Sequence, residues 1–387
     1  MECAHFGICG GCNNTALSYK QQFEGKIAQT TQEFYPLLNK QNVRIESFDS
    51  LESGFRARAE WRIYHDNGTM HFAMSALESA HKVPITQCPI LLPILQSLFP
   101  LLLDILQHNQ ILHHKLYACN LLCSMQDEVI ITLIYHKHLD SLWEEAAQKA
   151  QYRLTKALNV PLHIVGRSKN QKCVLGKTYI CESLSLLNGT YHYQYFKQEG
   201  AFSQPNPLIN LKMLEFVASS LQKLYPKPIC DALEIYCGSG NFTLILSAFF
   251  RKVLATEVVK SAIALLKDNM TQNHITNITP VRLNARESIQ ALCGERAFFR
   301  LKDVDIASFN IECVLIDPPR SGVGDKAILA FLQRFPSIIY ISCNPSTLTQ
   351  DLSILLQTHS IARFGLFDQF PYTHHRECVV ILRKNLL

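Results

Sequence analysis

A chain of 387 residues, 48% hydrophobic and 18% charged, is too long for one ordinary core and too apolar to be disordered, so two or more folded domains are expected. The formal net charge of +5 admits an anionic partner without demanding one at this length. The opening MECAHFGICGGC lacks the basic and apolar regions of a secretory signal, and the most apolar stretch, CPILLPILQSLFPLLLDILQ, is interrupted by Pro93, Gln96, Pro100 and Asp104, so a cytoplasmic protein without a membrane span is expected.

In chain order, a cysteine segment is followed by ALSYKQQFEGKIAQTTQEFY, which has helical spacing and a polar face. The runs FRARAEWRIYH and TMHFAMS alternate as strands and are joined by Asp66-Asn67-Gly68, a hairpin signal. A period of two puts Phe55, Ala57, Ala59, Trp61 and Ile63 on one face and Arg56, Arg58, Glu60 and Arg62 on the other. Strands KLYACNLLCSM, EVIITLIYH and LHIVGR, a hairpin around Asn188-Gly189 and the helix LDSLWEEAAQKAQYRLTKAL complete an α+β domain. Three segments are expected: 1–40 (cysteines and a helix), 41–200 (α+β) and 201–387. In the last, helices such as NPLINLKMLEFVASSLQKL alternate with strands ALEIYCG, KVLATEV, CVLIDPP and IIYISC, which predicts a doubly wound, largely parallel α/β sheet. IARFGLFDQF and RECVVILR close the chain as an antiparallel pair.

Four strand ends carry chemistry. LEIYCGSGNF places Gly238 and Gly240 between strand and helix, where backbone approaches a ligand, although the third glycine of the dinucleotide fingerprint is missing. Glu257, about twenty residues on at the end of the next strand, suits the ribose hydroxyls of an adenosine-containing ligand. CVLIDPPRSG runs from an apolar strand into Asp317, and IIYISCNPSTL ends the following strand at Cys343, on the edge where open α/β sheets bind ligands. A buried cysteine is most often filler. A thiol beside a separate carboxylate, Glu377 at the start of the last strand, suits instead a reaction that first adds to a ring and later removes a proton.

FSQPNP, LEIYCGSGNF, ATE, IDPPRSG, YISCNPSTL and FDQFPYTHHREC, in this order and at this spacing, resemble the S-adenosylmethionine-dependent RNA uridine C5-methyltransferases. The last motif, together with FRARAEWRIYHD and LIYHKHLDSLWEEA, is similar to the tRNA (uracil-5-)-methyltransferase branch, and the match runs from about residue 40 to the end. The resemblance implies a Rossmann-like class I methyltransferase sheet behind an N-terminal α+β RNA-binding domain. It also implies S-adenosylmethionine as methyl donor and the T arm of tRNA as partner, with no DNA and as a monomer. Position by position, it implies Cys343 as nucleophile, Glu377 as general base, and Gln204, Tyr236, Asn241, Glu257 and Asp317 as S-adenosylmethionine contacts. Arg56, Arg58 and Arg62 are then candidates for RNA contacts, and Tyr117 falls where the branch carries an RNA-contacting aromatic.

The amino terminus departs from that branch. CAHFGICGGC followed by LSYKQQ resembles the iron-sulfur motif of the ribosomal RNA uridine methyltransferases, which implies Cys3, Cys9, Cys12 and Cys88 as thiolates of a [4Fe-4S] cluster. Structural zinc would show two tight pairs instead. The front domain and the last motif favour tRNA over 23S ribosomal RNA. Competing expectations are an amino-group methyltransferase built on Asp317-Pro318-Pro319, which needs no thiol, and a non-enzymatic RNA-folding factor.

Overall fold

The computed structural model describes residues 2–13 and 17–385; Ala16, where the first expected helix starts, lies outside them. Helix α1 (Tyr19–Leu38) begins at Ser18, whose hydroxyl accepts from the Gln21 amide while the Gln21 side chain accepts from the Ser18 amide, a reciprocal cap that satisfies two otherwise unpaired donors. Strand β1 (Ile45–Phe48) follows.

The front sheet comprises β2 (Arg58–Asp66), β3 (Thr69–Ser75) and β4 (Lys82–Ile85), then, after helices α2 (Pro93–His108) and α3 (Gln110–His113), β5 (Leu116–Cys123) and β6 (Val129–Tyr135). Helix α4 (Ser141–Leu158) leads to β7 (Leu162–Ser168) and β8 (Gln171–Leu175). The spatial order is β4-β3-β2-β5-β6-β7-β8, antiparallel except for the β6–β7 pair. At the β2–β3 turn Asn67 and Gly68 both have positive φ, 48° and 81°, as a tight hairpin turn requires. The alternation read in β2 holds. Ala57, Ala59 and Trp61 face a core completed by Leu95, Leu98 and Leu102 of α2 and Trp143 and Ala147 of α4, with Trp61 stacked on Phe72 at 4.9 Å. Among the described residues no helix is long and apolar enough to cross a membrane.

The hairpin β9 (Tyr179–Leu186) and β10 (Tyr191–Gln198) joins the two halves. Ile180 packs on Leu122, Ile130 and Val165 and covers one end of the other face of the front sheet. Leu184, Leu186, Tyr193 and Tyr195 belong to the core of the second sheet.

That second sheet is built from α5 (Pro207–Leu224), β11 (Asp231–Ile235), α6 (Thr243–Phe249), β12 (Val253–Thr256), α7 (Lys260–Gln272), β13 (Ile278–Val281) and α8 (Ala285–Leu292). It continues with β14 (Ile311–Ile316), α9 (Lys326–Leu332), β15 (Ser337–Ser342), α10 (Pro345–Leu355), β16 (His359–Phe367) and β17 (Glu377–Lys384). The order is β1-β16-β17-β15-β14-β11-β12-β13, and only β17 runs against its neighbours. Helices α5, α6 and α7 pack on one face and α1, α8, α9 and α10 on the other. With both faces covered, β11, β12 and β15 are buried at every position, as expected of parallel strands.

The short strands β1, β4 and β8 and helix α8 were not anticipated. β1 precedes the front sheet in sequence, yet it pairs in parallel with β16. It thereby covers what would be an open edge of the second sheet.

Candidate active site

The carboxyl ends of β11, β12, β14, β15 and β16 and the amino end of antiparallel β17 meet on one edge of the second sheet. After β11 the chain turns through Tyr236, Gly238 and Gly240, all with positive φ. A Cβ on Gly240 would lie 2.4 Å from the Leu266 side chain, so only glycine lets the turn sit this close to α7. The turn is braced on both sides. Asn241 and Asn210 exchange amide hydrogen bonds of 2.8 and 2.9 Å, and the Asn269 amide donates to the Ser239 carbonyl at 3.0 Å. Glu257, just past β12, accepts from the Gly238 amide at 3.2 Å and the Val259 amide at 2.8 Å, which fixes its carboxylate beside the turn. Gln204 accepts from the amide of Gln369 at 2.7 Å. Gln204, Tyr236, Asn241, Glu257 and Asp317 all keep partial exposure, so the edge they share is open to a ligand.

Asp317 follows β14 and Cys343 follows β15, which lies beside it. β15 and β17 pair with Ser342 opposite Cys378. The same register carried one residue further sets Cys343 opposite Glu377, and opposed residues of an antiparallel pair present their side chains on one face. The electrostatics agree with this proximity. Burial pushes Glu377 up to about 8, with the Asp317 charge adding to it and the Arg320 guanidinium opposing. Burial likewise pushes Asp317 up to about 7. The Cys343 thiol is raised by burial, then by Glu377 and Asp317, and is lowered by Arg320. Two carboxyls and a thiol thus share a desolvated spot in which one cation offsets their mutual repulsion.

Arg320 is itself placed by the second sheet. Its backbone carbonyl accepts from the Asn344 side chain at 2.9 Å, and Asp351 of α10 accepts from the Val323 and Gly324 amides at 2.9 and 3.2 Å. Its guanidinium lies 2.9 Å from the His375 ring nitrogens. Burial and then the Arg320 cation lower the His375 pKa, which favours the neutral ring. Asn344 also accepts from the Ser346 amide and Pro345 opens α10, so the thiol sits where a strand stops and a capped helix starts.

A cavity of about 560 Å³ adjoins this edge, lined by Cys3, Cys9, Cys12 and Cys88 as well as by Arg320, Phe370 and His375. Cys12 is pushed up to about 12 by burial and then by Cys88, Cys9 and Cys3. Cys88 is also pushed up to about 12, by burial and then by Cys9 and Cys3. Arg56 opposes both shifts. Held as thiolates, the four would need more positive charge than Arg56 offers. Among the described residues no three His, Cys, Asp or Glu groups are close enough to hold one metal ion.

The RNA candidates separate. Arg62 on the open face of the front sheet lies over the Tyr117 ring at 4.4 Å, and Tyr117 stands 4.4 Å from His136, forming an exposed cationic and aromatic stack. Arg58 pairs with Glu60 at 2.6 Å. Arg56, expected on the same solvated face, is instead half-buried beside Cys12 and Cys88, with its Nε donating to the Arg58 carbonyl at 3.0 Å. It sits before the first paired residue of β2, where the cysteine segment covers the sheet. Asn210, Asn269 and Asp351 escaped sequence reasoning as site residues, because their role is to hold other residues and the only local signal is a polar side chain on a buried helix row; Arg320, an exposed residue in the turn after β14, escaped it because its partners come from other segments of the chain.

The family model for tRNA (uracil-5-)-methyltransferases matches residues 18–385. A tRNA/tmRNA (uracil-C(5))-methyltransferase of Helicobacter hepaticus is 56% identical over 401 residues, covering 100% of this chain and 99% of the relative. A protein of the same name from Wolinella succinogenes is 44% identical over 385 residues, covering 99% and 100%. The crystal structure of the Pyrococcus abyssi tRNA (uracil-54, C5)-methyltransferase in complex with S-adenosyl-L-homocysteine superposes with a TM-score of 0.71 at 18% identity, over 96% of this chain and 85% of that one, a likeness of fold.

Proposed function

The chain belongs to the tRNA (uracil-5-)-methyltransferase family, and from this premise we propose that it methylates C5 of uridine 54 in the T loop of tRNA, forming 5-methyluridine. The observation that carries the reading is the β15–β17 register, which pairs Ser342 with Cys378 and, carried one residue further, brings Cys343 toward Glu377 on the edge shared with Asp317. The tmRNA in the relatives' names is the natural second substrate.

C5 of uracil is too weak a nucleophile to take a methyl group unaided. The Cys343 thiolate adds to C6, forming a C–S bond and moving the C5–C6 electron pair into an enolate, which makes C5 nucleophilic. S-adenosylmethionine supplies the methyl group as a sulfonium. Glu377 then removes the C5 proton, the double bond re-forms, and the C6–S bond breaks to return the thiolate. Arg320 keeps Cys343 and Glu377 within reach of their anionic forms in a site whose burial favours the neutral ones. Gln204, Tyr236, Asn241, Glu257 and Asp317 hold the methyl donor, with Glu257 on the ribose. The target base has to leave its stack to reach this edge, and Arg58, Arg62 and Tyr117 on the front sheet hold the surrounding RNA.

We assign residues 41–200 to RNA binding, with β1 lent to the second sheet, and 201–387 to catalysis, in a cytoplasmic monomer. Cys3, Cys9, Cys12 and Cys88 would hold a [4Fe-4S] cluster in this reading, and its iron would supply the positive charge that buried thiolates lack. Iron and sulfide assayed on anaerobically purified protein are expected in cluster proportion; zinc alone would refute this assignment.

The methylation itself is tested by incubating the protein with labelled S-adenosylmethionine and total RNA from a strain lacking the modification, then mapping the methyl. Label at C5 of uridine 54 is expected. Label on a nitrogen or in ribosomal RNA alone would overturn the reading.

A further inference from the structure

Helix α1 buries the row Tyr19, Gln22, Lys26, Thr30, Phe34 and Leu38, whose spacing is that of one helical face. Its ends are apolar, with Tyr19 5.9 Å from Tyr372 and Phe34 4.8 Å from Phe364. Its middle is polar. Lys26 Nζ lies 2.7 Å from Asp368 Oδ1, in a pair 5% and 1% exposed, and donates to the Phe370 carbonyl at 2.9 Å. One turn on, Thr30 Oγ1 accepts from Arg376 Nη1 at 3.1 Å.

Glu33, beside that row, is shared between two segments. Its Oε2 accepts from Arg376 Nη2 at 2.8 Å, and its Oε1 accepts from Ser346 Oγ at 3.1 Å. Arg376 immediately precedes Glu377, and Ser346 lies in the first turn of α10, three residues past Cys343. One carboxylate therefore ties the segment bearing the base to the helix start bearing the thiol.

Apolar packing would hold α1 at least as firmly, because a buried ion pair gains little net stability over it. The polar row adds direction. It gives fixed donors and acceptors to residues 368–376, which form neither strand nor helix and lead directly into Glu377, the terminal residue of the β16–β17 ladder, paired with Phe367.

We propose that Glu33, supported by Lys26, is a positioning residue that holds Glu377 in line with Cys343, so that its loss slows the second stage of the reaction and spares the first. The inference rests on the roles given above to Cys343 and Glu377. In the affected stage the Glu377 carboxylate takes the C5 proton, the C–H pair becomes the C5–C6 double bond, and the C6–S bond breaks to release the Cys343 thiolate.

The test uses the full chain with tRNA and S-adenosylmethionine, and follows the covalent protein–RNA adduct on denaturing gels alongside turnover. For Glu33→Ala the adduct is expected to form at the unaltered rate and to resolve roughly ten- to a hundredfold more slowly, the scale of a small misplacement of a reacting group, with KM for S-adenosylmethionine unchanged. Glu33→Gln, which keeps an acceptor for Arg376, is expected to fall between. Ser346→Ala removes the exposed end of the link and is expected to give a smaller rise in adduct without loss of fold. Glu24→Ala, on the exposed face of α1, is expected to match the unsubstituted protein. Resolution at the unsubstituted rate in Glu33→Ala, or equal losses in formation and resolution, would overturn the proposal. If Glu377→Gln traps no adduct, the role of Glu377 fails and this inference falls with it; if only Glu377→Gln traps it, the role of Glu33 alone fails.

Discussion

The two sheets treat their charged side chains in opposite ways. On the edge of the second sheet, Asp317, Glu377 and Cys343 are desolvated until each is pushed toward its neutral form. On the open face of the front sheet, Arg62 stays exposed and rests on Tyr117. Chemistry needs groups whose protonation can change near neutral pH, and burial is the means of moving them there. Binding a polyanion needs cations that never change and stay accessible, and an exposed face costs them nothing in desolvation.

Substitutions on the two sheets can break or sharpen this contrast. The largest effect is expected from Cys343→Ala, which removes the thiol proposed to activate C5; methyl transfer and the covalent adduct should both vanish, as read by label incorporation and denaturing gels. Glu377→Gln should slow turnover by roughly a hundredfold or more, the usual worth of a general base, while the adduct accumulates.

Asp317→Asn should weaken S-adenosylmethionine binding by about tenfold or more, the cost of losing one charged contact, measured by calorimetry. The same substitution should raise the melting temperature of the unliganded protein at pH 8. The folded-state pKa of Asp317, about 7, lies above its unfolded value. The native state therefore holds a proton the unfolded chain has released, and its contribution to stability is full below about pH 4 and is lost as pH rises through 7. Asparagine has no proton to lose, so it removes that penalty.

Next in size is the pH profile. In the proposed reaction Cys343 and Glu377 both act as anions and both are raised, so kcat/KM should climb with pH through about 8, where Glu377 ionises, and go on climbing above it as the raised Cys343 thiol ionises. Arg320→Gln should move that limb to higher pH, because Arg320 lowers both groups. The smallest effect is expected on the front sheet. Arg62→Ala should raise KM for tRNA by roughly threefold to tenfold, shallow the salt dependence by about one phosphate contact, and leave the pH profile unchanged. A shifted profile from Arg62→Ala would dissolve the contrast between the sheets.

Much of the fold was legible in local pattern. Alternation marked β2, with Ala59 and Trp61 buried in it and Ala57 just before it, and turn residues marked the strand ends at Gly238, Asp317 and Cys343. The strands β1, β4 and β8, four or five residues long, were not legible because they are only partly buried and lack the apolar run that marks the equally short β11 and β12. Alternation put Arg56 on the face opposite Phe55 and Ala57 and could not tell that Cys12 and Cys88 lie beside it there.

The sequence by itself determined which residues stand at the ends of the parallel strands, since each motif lies within a few residues of its own strand and turn. The tertiary structure decided what faces what. Cys343 and Glu377 come to one edge only because β17 enters the sheet antiparallel to β15, and Glu33 reaches Arg376 across more than three hundred residues. Such partners are chosen by hydrogen-bond register and by the burial of whole layers, and neither leaves a periodic trace in the chain. The pKa shifts belong to the same class, because desolvation is a property of the assembled edge.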